Sequence, residues 1–128
     1  MLIRHPDQVE PQPMRMAGAA GVTMRLMVGR DDGAPNFALR LFEVAPGGHT
    51  PEHSHNYEHE VLILSGQGEV VDGAKTNLRL IGPGQVLFIP ANQMHQFRNP
   101  GPEPLKFACL VPTRFDCGSG TTETTLGS

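Results

Sequence analysis

His53-Ser54-His55-Asn56-Tyr57-Glu58-His59-Glu60-Val61-Leu62-Ile63-Leu64-Ser65-Gly66 is the stretch on which the fold turns. Its first half carries three imidazoles, and its second half is an apolar, β-branched run that ends on a turn signal. On a strand, side chains alternate between faces, so His53 and His55 project the same way, and a short bend returns His59 to the same cavity. His95, far downstream, adds a fourth imidazole. This spacing lets two neighbouring strands aim all four at one point inside a barrel, and a divalent metal ion is what such a point holds. A lone His-x-His would more often be an idle polar strand face, so the surrounding pattern has to carry the metal reading.

Working outward, the chain reads as strand after turn after strand. Its 15 Gly and 12 Pro lie between short runs rich in Val, Ile, Leu and Phe, and no segment has sustained helical periodicity. Strands are expected over 22–28, 37–44, 60–64, 69–71, 76–81, 86–89, 94–98 and 105–111. Turns are expected at Asp31-Asp32-Gly33-Ala34-Pro35, Pro46-Gly47-Gly48, Ser65-Gly66-Gln67-Gly68, Asp72-Gly73, Gly82-Pro83-Gly84 and the loop 99–104. This pitch implies an all-β antiparallel sandwich or barrel. Residues 1–20 read as an arm, with Pro6, Pro11 and Pro13 opposing regular structure, residues 21–115 as the folded domain, and residues 116–128 as a flexible tail with almost nothing to bury.

A chain of 128 residues supports one domain with a real core. A net charge of -3 without a basic run excludes a nucleic-acid partner. No stretch has the length of a membrane span or a signal peptide, so no membrane partner is expected and the default is a cytoplasmic protein. Cys109 and Cys117 make no disulfide framework and are read as reduced.

The pattern around the histidines is more specific than any one of them. Gly47 is followed by five residues and then His53-x-His55; three more residues bring His59, and six more bring Gly66. Later, Gly84 leads through five residues to Pro90, then to Asn92, His95 and, after three residues, Asn99. From Gly47 to Asn99 the chain resembles the cupin family, whose two motifs run Gly, His-x-His, carboxylate, Gly and then Gly, Pro-x-Gly, His, Asn. The resemblance implies a double-stranded β-helix, the small jelly-roll cupin barrel, with one divalent metal held between the motifs. Where the family usually has Glu as third ligand, this chain has His59 with Glu60 beside it. Only one of the two can point inward, and the spacing to His55 and Gly66 favours His59. The set His53, His55, His59 and His95 then looks like that of small single-domain bacterial cupins with four histidine ligands. Asn92 replaces the family's turn Gly, and Asn is the next best residue at a positive φ.

Imidazoles suit Fe, Mn, Co, Ni, Cu and Zn without choosing among them; one divalent transition metal per chain is expected, Mn or Fe first, with Zn, Ni, Co or Cu as alternatives. Protonation of the ligands is expected to release the metal as pH drops through about 6.5. His5 and His49 fall outside the pattern and are read as surface residues, His49 as a rim group at most.

Around the metal, Lys106 facing water turns Phe107, Cys109 and Val111 inward, and Phe97 shares the face of His95. With Phe42 they make a mainly apolar substrate pocket, or simply barrel core. Arg40 shares a face with Phe42, and alternation leaves two readings open: inward, forking a substrate carboxylate, or outward, paired with Glu60 or Glu43. Cys109 is read as a small buried hydrophobe rather than a nucleophile. Leu62, Leu64 and Leu110 face away from the cavity, and exposed apolar sheet implies a homodimer. The function expected is a metal-dependent oxygenase or dioxygenase acting on a small organic substrate. The alternatives are a metal-assisted isomerase or lyase, for which no protein base is evident, and a non-catalytic small-ligand-binding module.

Overall fold

Leu105, Phe107, Cys109 and Val111 are buried along one strand while Lys106 between them is exposed, so the period-two reading of this segment holds. The same alternation buries His59, Val61 and Ile63 and exposes Glu60, Leu62 and Leu64. In the computed structural model, which describes residues 1–73 and 77–116, such segments form nine antiparallel strands among the described residues. They are β1 (Gln12–Pro13), β2 (Ala20–Val28), β3 (Phe37–His49), β4 (His59–Ser65), β5 (Gly68–Asp72), β6 (Asn77–Ile81), β7 (Val86–Ile89), β8 (His95–Arg98) and β9 (Leu105–Pro112).

The order across the curled sheet is β6-β5-β8-β3-β9-β4-β7, with β2 added on β3 and β1 on β2. This is the all-β jelly-roll half-barrel anticipated above. Its hollow is filled at one end by an aromatic stack. Phe107 lies with ring centroids 4.6 Å from Phe97 and 5.4 Å from Phe42, and Val61, Ile63, Leu105 and Ile81 pack with them. Fully burying side chains of this size contributes about 1.5–3 kcal/mol each.

Four expectations change. The strand 37–44 does not stop at Pro46-Gly47-Gly48 but runs on to His49. Between the pairs Val22↔Val44 and Ala20↔His49, β3 carries extra residues that bend it from β9 towards β8. Gly47, at φ 82°, donates its N–H to the Asn99 carbonyl (2.7 Å), and Asn99 returns its own N–H to Gly48 O (3.0 Å). Asn99 is itself buried and donates to Val44 O and Glu103 O, tying down the loop before β9.

The arm has regular structure despite its prolines. Pro6–Gln8 is a 3-10 turn capped by His5, and Pro13 lies in a two-residue edge strand, where a missing N–H is tolerated. Arg4 fastens the arm by donating to Met27 O (2.6 Å) and pairing with Asp32 (3.0 Å). The third change is in β2, where an irregularity between Leu26 and Val28 interrupts the alternation, so Met27 is buried.

Asp116, read as the start of the tail, is fully buried and accepts the Arg30 N–H (2.7 Å). Thr76, Cys117 and the rest of the tail, 118–128, lie outside the described residues. Among the described residues no helix is long and apolar enough to cross a membrane.

Candidate metal centre

His59 and His95 are carried by strands, at the first residues of β4 and β8. His53 and His55 are not on a strand, contrary to the alternation argument: both lie in the loop 50–58, where only His53 forms an isolated bridge, to His95. The loop is held by the second motif instead. His53 and His95 exchange N–H···O bonds (3.1 and 2.9 Å), and Asn92 donates its N–H to His55 O (2.5 Å). Asn92 does adopt the positive φ, 68°, that its place in the turn requires.

The four rings gather at the open end of the hollow. Centroids lie 4.2 Å apart for His53 and His55, 4.9 Å for His53 and His95, 4.8 Å for His55 and His59, and 5.3 Å for His59 and His95. The ligand nitrogens of His53, His55 and His95 all fall within 4.8 Å of one another, which makes these three the compact set. His59 borders it. Tyr57 completes an alternating comb, stacked on His55 (4.9 Å), His59 (5.3 Å) and Phe115 (3.9 Å). Its place midway between His55 and His59 in the sequence was the available signal for this residue.

Burial, then the positive neighbours His53, His95 and Arg40, push the His55 imidazole down to about 3 from 6.5. Burial, then Arg40 and the other histidines, push His59 down to about 2. Both are therefore neutral at pH 7, the form that ligates a metal, and their protonation lies well below the expected 6.5. Neither nitrogen of His55, nor Nε2 of His59, has a hydrogen-bond partner among the described residues. His95 Nδ1 lies 2.9 Å from Gln93 O, the arrangement that commits Nδ1–H to the carbonyl and leaves the Nε2 lone pair for the cluster. Convergent imidazoles, His55 and His59 among them held neutral by burial, fit a divalent transition metal.

Arg40 points inward and is fully buried, which resolves the two readings of its strand; Glu43 pairs with Lys106 instead (3.6 Å). The Arg40 guanidinium lies 5.0 Å above the Phe42 ring and donates to Cys109 Sγ (3.4 Å). Cys109 in turn lies 3.5 Å from His59 Nδ1. Phe42, Phe97, Phe107 and Val111 are buried in the same interior. His5 is exposed, while His49 at the end of β3 is half-buried.

A cavity of about 330 Å³ opens beside the cluster between the edges of β6 and β7. His95 lines it together with Asp72, Arg79, Gln85, Gln93 and Leu87; Arg40, Phe42, Phe97, Phe107, Cys109 and Val111 are not in the wall of this cavity. Asp72 accepts from Gln93 Nε2 and pairs with Arg79 (3.4 Å). Sequence reasoning missed this polar wall because Asp72-Gly73 reads as a turn. The signal was that Val70 and Asp72 share a strand face.

The Cupin_2 (Cupin domain) family pattern matches residues 40–111. The chain is similar to the 1-methylthio-D-xylulose 5-phosphate methylsulfurylase of Rhodospirillum rubrum, 39% identical over 88 residues, which is 69% of this chain. It spans only 55% of that relative's length. Among solved structures, the polyketide cyclase RemF of Streptomyces resistomycificus superposes with a TM-score of 0.84 at 34% identity, covering 88% of this chain and 80% of the cyclase. A cupin-2 domain from Rhodospirillum rubrum superposes at 0.75 with 29% identity, over 100% of this chain and 80% of its own. Fold, paired motifs and relatives agree: the chain belongs to the cupin superfamily, in the Cupin_2 domain family.

Proposed function

We propose that this cupin is a metal-dependent enzyme acting on a small organic substrate with an enolisable carbonyl group. The observation that carries the reading is the convergence of the ligand nitrogens of His53, His55 and His95, the last of which also lines a cavity of about 330 Å³. His53, His55 and His95, with His59 as fourth, would hold one divalent metal, Mn or Fe first and Zn, Ni, Co or Cu as alternatives. When bound there, such an ion supplies Lewis acidity towards a carbonyl oxygen.

The chain's own residues do the rest. Gln93 O keeps His95 oriented. The Asp72 carboxylate, on the cavity wall with His95, is the proton acceptor that the sequence did not reveal, and Arg79 and Gln93 orient it. Arg40, buried in the interior, adds a positive charge and favours an anionic substrate. Cyclisation or isomerisation through a carbon acid is the chemistry this set supports, and the activity named for the polyketide cyclase lends it weight. A dioxygenase on the same substrate class is the second reading, favoured by an all-imidazole donor set that suits Fe and Mn. A ligand-binding module without turnover is the third.

Protein loaded separately with Zn and Fe, and incubated with β-diketones and polyphenols with and without air, separates the three. Anaerobic turnover by the Zn form supports the first reading, and strict coupling to oxygen consumption replaces it with the second. Tight calorimetric binding with no turnover leaves only the third. The same proposal has the protein cytoplasmic, with Cys109 a free thiol, and a homodimer through the outer face that exposes Leu62, Val86 and Phe88. A monomer in sedimentation equilibrium at micromolar concentration would remove the dimer.

A further inference from the structure

Two ring nitrogens cannot both ligate and both donate, so the tautomer of His59 decides whether the cluster has three ligands or four. His59 is fully buried, with Nδ1 3.5 Å from Cys109 Sγ and Nε2 without a hydrogen-bond partner among the described residues. Cys109 is equally buried, and its sulfur already accepts a hydrogen bond from Arg40 Nη2 at 3.4 Å. We infer that Cys109 is a positioning residue whose sulfur accepts the Nδ1–H of His59, turning the Nε2 lone pair of His59 towards His55 and His95 as the fourth ligand.

The alternative arrangement has the thiol donating to Nδ1. It would strand an imidazole N–H at Nε2 in a dry interior, where an unmet strong donor is heavily penalised. The inferred arrangement strands only the S–H, the weakest donor present. Arg40 thus acts at a distance: by donating to sulfur from one side it holds the sulfur's remaining acceptor capacity towards His59. His95 does not need this device, since a backbone carbonyl orients it.

The inference rests on the metal reading above, and its test begins without metal. In metal-free wild-type protein labelled with 15N-histidine, NMR distinguishes protonated from unprotonated ring nitrogens. The proton of His59 is expected on Nδ1, and a proton on Nε2 overturns the inference while leaving a three-histidine site intact. Titration with Co(II) then reads the consequence. Cys109→Ala is expected to weaken binding about 10-fold or more, the usual range for a group that orients a ligand, and Cys109→Ser to stay within about threefold. In a His59→Ala background the Cys109→Ala effect should vanish. A loss that persists undiminished there, or Cys109→Ala binding as tightly as wild type, overturns the inference. Should Cys109→Ala fail to fold, the wild-type tautomer and Cys109→Ser still decide it. Wild-type protein with the proton on Nδ1 that binds no Co(II) overturns instead the metal reading, and the ligand role of His59 with it.

Discussion

The same three strands build two unlike ends of one hollow. At the closed end, β8, β9 and β4 contribute Phe97, Phe107 and Ile63, and each is placed by strand pairing alone. At the open end they contribute His95, Cys109 and His59, and two further histidines arrive from a loop. The closed end gains stability from burying what water rejects. The open end gives some of it up by keeping imidazoles neutral where water would let them charge. Stability and chemistry are thus separated by two to four residues along each strand, and substitutions at the two ends should have different signatures.

The largest effect expected is at the closed end. Phe107→Ala should cost about 3–5 kcal/mol in urea unfolding, a large part of what holds a domain of this size. His55→Ala should do the reverse, leaving the unfolding midpoint of metal-free protein unchanged or raised. It should also weaken Co(II) binding by more than roughly 100-fold, beyond the range for groups outside the ligand set. If His55→Ala unfolds the protein as badly as Phe107→Ala, the two ends are not distinct.

Acid sharpens the contrast. The folded chain holds His55 near 3 and His59 near 2 against an ordinary 6.5, so below pH 6.5 the unfolded chain takes up protons that the folded chain refuses. The stability of metal-free protein is therefore complete above about pH 6.5 and falls steadily towards pH 3, by about 1.4 kcal/mol per pH unit for each imidazole. Urea titrations at pH 7 and 5 should reveal this slope, and His59→Phe should remove about half of it. A flat profile would mean that the open end holds no buried neutral imidazoles. The smallest effect belongs to the turn that carries the loop ligands. Asn92→Gly should be nearly neutral, and Asn92→Val should cost about 1–2 kcal/mol at φ 68° and loosen Co(II) binding with it. Equal Co(II) affinity in both variants would show that the turn does not hold the loop.

Legibility followed the same division. Wherever a residue's position depends on alternation, the sequence could be read directly. Val61 and Ile63 follow His59 inward, Glu60 faces out, and Lys106 sets the phase of β9. Arg40 could not be assigned, because each face of β3 carries one charge, and only packing decides which charge is buried. The run past Pro46 was missed because the bend takes its hydrogen bonds from Asn99, about fifty residues away, not from its neighbours. Asp72 was hidden by its turn-like Asp-Gly pair, and Arg79 and Gln93 were missed because the cavity wall joins segments remote in sequence, a meeting that no local pattern records.

What the sequence determined by itself was an antiparallel sandwich or barrel of strands, since periodicity two and turn residues are properties of neighbours along a chain; the spacing of its motifs carried the cupin resemblance, which implied the jelly roll and the expectation of four histidine ligands. What only the tertiary structure decided was which three imidazoles form the compact set, how the loop carrying two of them is held, what lies behind His59, and where a substrate could approach. Those depend on backbone and side-chain bonds between segments remote in sequence, whose free energy exists only once the sheet has curled.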